Sequence, residues 1–180
     1  MNSQLHLSDS AEGVVTRPAE HIGLKGRFIF KLERDGKVID EWESPNLVTN
    51  IGRNTVLNTA IGGASQIAIW YIGLIDNAGF SALAAGDTMA SHAGWVENAS
   101  YSNANRPTYS PAAASSQSIT NAASVATFNI SGTATINGAF ITSNNTISGA
   151  SGTLLCEASF GSTRSVISGD TLAVTYVLND

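Results

Sequence analysis

Gly26-Arg27-Phe28-Ile29-Phe30-Lys31-Leu32-Glu33-Arg34-Asp35-Gly36-Lys37-Val38-Ile39-Asp40-Glu41-Trp42 is the stretch that speaks most clearly about the fold. Phe28, Phe30 and Leu32 alternate with Ile29, Lys31 and Glu33, which is the two-residue period of a half-buried strand. Asp35-Gly36 is a turn signal, and Val38 to Trp42 reads as the returning strand of a hairpin. A two-residue loop would set Phe30 opposite Glu41. A three-residue loop, Arg34-Asp35-Gly36, sets Phe28 opposite Trp42 and Leu32 opposite Val38. The second register gathers the apolar residues on one face and is the one expected, because a one-residue slip sends every side chain to the other face.

Downstream of this hairpin the composition changes. Residues up to Glu43 hold fourteen of the chain's twenty-three Asp, Glu, Lys and Arg; the remaining 137 hold nine. Overall, charged residues make up 13% of the 180, about half the usual level of roughly 25%. The later sequence is written in Ala, Ser, Thr, Asn and Gly with scattered aliphatic and aromatic residues. Such a chain makes β-structure with a neutral surface and offers little acid–base chemistry. A surface this poor in charge suits one that is partly covered by partners.

Outward from the hairpin, Thr49 or Asn50 can cap a short helix. Val56, Leu57, Ala60 and Ile61 fall on one face of it, and Gly62-Gly63 ends it. Ile67 to Ile75 is almost wholly apolar and reads as a central strand buried on both faces. A further helical turn is expected at Asp87 to His92, and a strand at Trp95 to Tyr101. Arg106 to Ala114 reads as a linker or exposed loop. From Ser118 onward, apolar runs at 125–130, 133–141, 153–160, 165–167 and 171–178 alternate with Ser-Gly, Asn-Asn and Ser-Gly-Asp breaks. The sum is an all-β chain: an antiparallel β-sandwich of about eight or nine strands, a jelly roll if eight stand in two sheets, with one or two short helices. Residues 1–22 are polar and without period and are expected to form an extended N-terminal arm; 23–180 form the single sandwich domain.

Chemistry finds few footholds. Asp87, Ser91 and His92 lie close in sequence, but no nucleophile elbow surrounds them, and Asp87 reads better as a helix cap. Asp76, Asn77 and Asp87 lack a calcium-loop spacing, and His6, His21 and His92 lack a zinc spacing, so no metal is expected. The Ser118–Asp180 region supplies only Glu157, Asp170 and Asp180 as carboxylates, a weak basis for glycoside hydrolysis. Neither a phosphate-cradling loop nor a dinucleotide fingerprint is present, so no cofactor is expected. The net charge of −5 with no basic stripe disfavours nucleic acid. Neither a signal peptide nor a run of about 20 apolar residues is seen, so no membrane role is expected and assembly in a cytoplasm is. Cys156 reads as a buried structural thiol. Trp42 and Trp70 read as core, leaving Trp95, Tyr101 and Tyr109 as surface aromatics.

Four segments are similar to a set found in structural proteins of tailed bacteriophages. They are Asn46-Leu47-Val48-Thr49-Asn50-Ile51-Gly52, Trp70-Tyr71-Ile72-Gly73-Leu74-Ile75, Asp87-Thr88-Met89-Ala90-Ser91-His92-Ala93-Gly94-Trp95 and Gly169-Asp170-Thr171-Leu172-Ala173-Val174-Thr175-Tyr176. The likeness spans roughly residues 26–178, and within that group the chain most resembles the head cement or decoration proteins. What the resemblance implies is a small sandwich, often a jelly roll, on the outer capsid surface of a virion. It would bind the major capsid protein and itself, as a homodimer or homotrimer, bridge shell subunits and have no active site. The contact residues expected from the arm are Val14, Val15 and Arg17; from the hairpin tip, Arg34, Asp35 and Lys37; and from the later loops, Tyr101, Arg106 and Tyr109. The alternative is a tail-fibre or receptor-binding module that recognises a host surface glycan through exposed aromatics.

Overall fold

In a computed structural model, which describes residues 23–179, two antiparallel sheets face each other as a β-sandwich. The elements in chain order are β1 (Lys25–Arg34), β2 (Lys37–Pro45), β3 (Leu47–Val48), α1 (Asn50–Ala60), β4 (Trp70–Asp76), β5 (Glu97–Asn98), β6 (Thr108–Tyr109), β7 (Ser118–Thr120), β8 (Ala126–Asn129), β9 (Ala134–Thr142), β10 (Leu154–Val166) and β11 (Thr171–Asn179). The first sheet runs β2-β1-β11-β7, with β8 also on β11; the second runs β3-β10-β9-β4-β5, with β6 also on β4. The all-β sandwich is as the sequence pattern implies. The strand order does not establish jelly-roll connectivity: β1–β2 and β9–β10 are adjacent pairs within one sheet. The arm at 1–22 lies outside the described residues.

The hairpin corrects the expected register. Arg34 pairs with Lys37 across a two-residue turn, Asp35 and Gly36, whose φ values of 50° and 71° are both left-handed. That is the hairpin turn whose twist suits its flanking strands, and Asp and Gly tolerate it. The pairing then shifts between Leu32 and Glu33, leaving Ile39 as an extra residue on β2 and bringing Phe30 opposite Trp42. A bulge therefore does what the longer loop was expected to do: it returns Trp42 to the inner face. There Trp42 stacks on Phe30 at 5.0 Å and meets Phe160 edge-on at 5.3 Å.

The main core lies between the sheets. Phe28, Phe30 and Leu32 of β1 meet Leu172, Val174 and Tyr176 of β11, with Ile72 and Leu74 of β4 opposite. Cys156, fully buried there, donates to the Tyr176 hydroxyl at 3.4 Å, and burial pushes its thiol up to about 12. The second sheet is buried on its outer face too. Ile75, Phe140 and Leu154 form a smaller core with Met89 and Trp95 from the 77–96 loop. The apolar run read as buried on both faces is thus confirmed for Ile72 to Ile75, although the strand starts at Trp70 and Ile69 is exposed.

The cover over that outer face is α1 plus the 77–96 loop. Thr49 caps α1, accepting from the Gly52 amide at 3.0 Å and donating to the Leu154 carbonyl at 2.6 Å. Gly52 must be glycine, because a Cβ there would sit 2.1 Å from the Leu155 carbonyl oxygen. The expected apolar face of α1 is buried only in part: Val56 packs against the main core, while Leu57 is 57% and Ile61 84% exposed. The helical turn expected at 87–92 is instead a tight turn closed by reciprocal Thr88–Ser91 backbone bonds.

Candidate interaction surface

The contact residues expected from sequence divide sharply. Val14, Val15 and Arg17 lie outside the described residues. Asp35 and Lys37 stand exposed at the hairpin tip. Arg34 turns back and clasps Asp170 in a bidentate pair, Nε to Oδ1 at 2.7 Å and Nη2 to Oδ2 at 2.8 Å. Asp170 also accepts from the Ile167 amide at 2.9 Å, so it holds the β10–β11 turn. The hydrogen bond from Arg34 holds its carboxyl below the usual range.

Arg106, expected as a surface contact, is 2% exposed. Its guanidinium donates to both oxygens of Glu97, at 2.8 and 2.7 Å, and to the carbonyls of Asn144 and Gly149, at 2.8 and 3.2 Å. Glu97 in turn accepts from the Ser148 amide at 2.6 Å. The pair ties β5, the 99–107 connection and the 143–153 loop together. Tyr101 and Tyr109 are buried as well. Tyr101 meets Phe128 edge-on at 5.0 Å, and burial raises its hydroxyl's pKa. Tyr109 meets Tyr176 edge-on at 5.6 Å and is pushed up to about 12 by burial. Trp95, also read as a surface aromatic, is 1% exposed. These four are corrections: Trp95 covers the outer face of the second sheet, Tyr101 and Tyr109 join the core between the sheets, and Arg106 is drawn in by Glu97.

Acidic groups are likewise tied up inside the fold. Asp76 accepts from the Ala78 amide at 2.6 Å and from the Asn98 amide side chain. Asp87 accepts from the Trp95 indole at 3.1 Å, and Glu157 accepts from the same indole at 3.0 Å. Burial, then the nearby Asp87 charge, pushes the Glu157 carboxyl up to about 8. No group of three His, Cys, Asp or Glu comes together among the described residues. No described helix is long and apolar enough to cross a membrane.

The surface offers an apolar groove, a charged concavity and two neutral stretches. Val56, Leu57 and Ala60 of α1 and its C-cap Ile61, with Leu24, line an open groove of about 580 Å³, and Arg53 stands at its rim. A shallower concavity of about 680 Å³ lies on the outer face of the first sheet, where Glu33, Glu41 and Glu43 face a row of Thr171, Ala173 and Thr175. Two exposed stretches, residues 61–66 and 110–117, carry no charged residue. The helix spacing signalled the first groove; nothing in the sequence signalled that it would be left open. Compared with known proteins, the chain matches no protein-family model. No curated protein is significantly similar to it.

Proposed function

We propose that this chain is a non-enzymatic structural protein of a phage virion that binds the outside of the capsid and bridges shell subunits. The observation that carries the reading is the open groove beside α1. An amphipathic helix normally hides its apolar stripe, and here Leu57 and Ile61 face water. Leaving such a stripe exposed is costly unless a partner covers it. The adjoining stretch 61–66 carries no charge and Arg53 is the one charged residue lining the groove, which lowers the cost of desolvating this surface on contact. Many such modest contacts, repeated around a symmetric shell, act together through multivalency. The partners on this reading are the major capsid protein and further copies of the chain. The glycan-binding alternative has less to draw on, since Trp95, Tyr101 and Tyr109 are packed inside.

The test is co-sedimentation of the labelled protein with expanded capsids that lack it and, separately, with intact host cells. Saturable capsid binding, at a copy number set by the symmetry axes and lost in Leu57→Glu/Ile61→Glu, is the expected result. Binding to cells and not to capsids would overturn the proposal.

A further inference from the structure

The β4–β5 connection, residues 77–96, has almost no regular structure, yet it covers the outer face of the second sheet. One side chain of β10 fastens it there. Glu157 Oε1 accepts from the Ala84 amide at 3.0 Å, and Oε2 accepts from the Trp95 indole at 3.0 Å. Asp87 Oδ2 competes for both donors, at 3.3 Å from Ala84 and 3.1 Å from Trp95. Two carboxyl groups therefore converge on two N–H groups at a place where Glu157 and Trp95 are buried and Asp87 is half-buried. Among the described residues no ion pair involves either of them.

Among the described residues, the surroundings offer no compensating cation. The strand neighbours of Glu157 are Leu47 on β3 and Phe140 on β9, both apolar. Cys156, next to it on β10, faces the inner core. From the α1 side the loop is met by the Asn50 amide, which donates to the Ala85 carbonyl at 2.7 Å. His92 reaches only the Trp95 ring, stacking at 3.8 Å, with its Nδ1 2.9 Å from the Trp95 carbonyl oxygen. Arg106 lies over the Phe140 ring at 5.2 Å, with its N–H groups committed to Glu97, Asn144 and Gly149.

We propose that Glu157 and Asp87 form a pH-sensitive latch: with a proton shared between them the 77–96 loop is held down, and with both ionised it lifts. The physical reason is that two like charges at one buried site cannot both be satisfied by two neutral donors. Lifting the loop lets water reach Glu157 and uncovers Trp95, Met89 and Phe140. Because the Glu157 carboxyl is pushed up to about 8, the latch is closed at neutral pH and opens on the alkaline side. This inference stands apart from the capsid reading.

Hydrogen exchange followed by NMR on the intact protein tests it between pH 6 and 9.5. The probes are the Trp95 indole and the Ala84 amide, with the Ile72 amide of the central sheet as internal reference. Relative to Ile72, protection at the two loop probes is expected to fall by up to about tenfold per pH unit between pH 6 and 8 and to level off above about 8. Glu157→Gln, which keeps a side chain able to accept from one donor and to donate to Asp87, should abolish that fall. Asp87→Asn should move its midpoint downward. Parallel pH profiles for loop and reference probes in the wild-type protein overturn the proposal, whether or not the variants fold. So does an unchanged profile in a folded Glu157→Gln.

Discussion

Arg106→Met is the perturbation that most directly tests how the loop end of the sandwich is held. The side chain of Arg106 has no exposure and that of Glu97 only 6%. Removing the guanidinium therefore strands a carboxylate where water cannot replace its partner. Breaking a buried pair from one side costs about 3–5 kcal/mol. The carbonyls of Asn144 and Gly149 lose a charged donor as well, and each orphaned acceptor adds roughly 1 kcal/mol. A single domain has about 5–15 kcal/mol in total, so the variant should lose between a third and most of its stability. In a chain this size each kcal/mol moves the midpoint by about 2–4 °C, so a fall of roughly 10 °C or more is expected.

Urea unfolding at pH 7 reads the loss, and a double-mutant cycle identifies its origin. Glu97→Gln/Arg106→Met removes both charges, and its cost should be well below the sum of the single variants. Raising the salt to molar levels should leave the loss nearly unchanged, because screening acts mainly on exposed pairs. A loss below about 1 kcal/mol, in the range of surface pairs, or strict additivity in the cycle, would refute the reasoning and return Arg106 to the surface.

Three further outcomes are expected. Gly52→Ala should destabilise by about 1–3 kcal/mol despite alanine's better helix propensity, since its Cβ would lie 2.1 Å from the Leu155 oxygen; thermal melts decide it, and a gain in stability would show that the helix can lift freely. Asp170→Asn should flatten the acid limb of stability. The Asp170 carboxyl is held below its usual value by Arg34, so its contribution is complete above the unfolded pKa near 4 and disappears as pH falls through the lower folded value; urea midpoints from pH 2 to 6 measure it. Glu157→Gln should raise stability on the alkaline side. A carboxyl pushed up to about 8 when folded binds more protons than the unfolded chain between roughly pH 4 and 8, so wild-type stability falls across that window and levels off above it; equal midpoints for the two proteins at pH 9 would contradict this.

The hairpin was legible because one of its faces is buried and the other wet, and the period of two records that difference. Its register was not, because the bulge at Ile39 is decided by where Phe160 of β10 waits for Trp42, a contact 118 residues away in the chain. The helix could be placed from Thr49 and Gly62-Gly63, which act locally. Whether its stripe would be covered is a property of the whole assembly, and helical spacing says nothing of that. The burial of Trp95 does have a signal in the sequence. A strand apolar on both faces, as β4 is at Ile72 to Ile75, requires something to lie over its second face, and the nearest aromatic-bearing loop is 77–96. Arg106 had no such signal: its partner Glu97 sits nine residues away in a segment without period.

The scarcity of charge after Glu43 takes on a more definite meaning in three dimensions. Asp76, Asp87, Glu97, Arg106, Glu157, Arg164 and Asp170 are all engaged within the fold, most of them fastening a loop or turn. Arg164 of β10 pairs with Asp40 of β2 at 2.6 Å and lies over the Trp42 ring at 4.7 Å. Among the described residues after Glu43, Arg53 alone has no such partner, and it stands at the rim of the apolar groove. The few charges in the long remainder therefore serve mainly to hold irregular segments in place, and leave the surface between them neutral. Where a segment is held by such bonds and its skin is neutral, little entropy and little hydration are lost when another surface closes on it. That combination argues for a docking role more strongly than the low charge content does by itself, because a neutral surface on mobile loops would forfeit on ordering what it saved on desolvation.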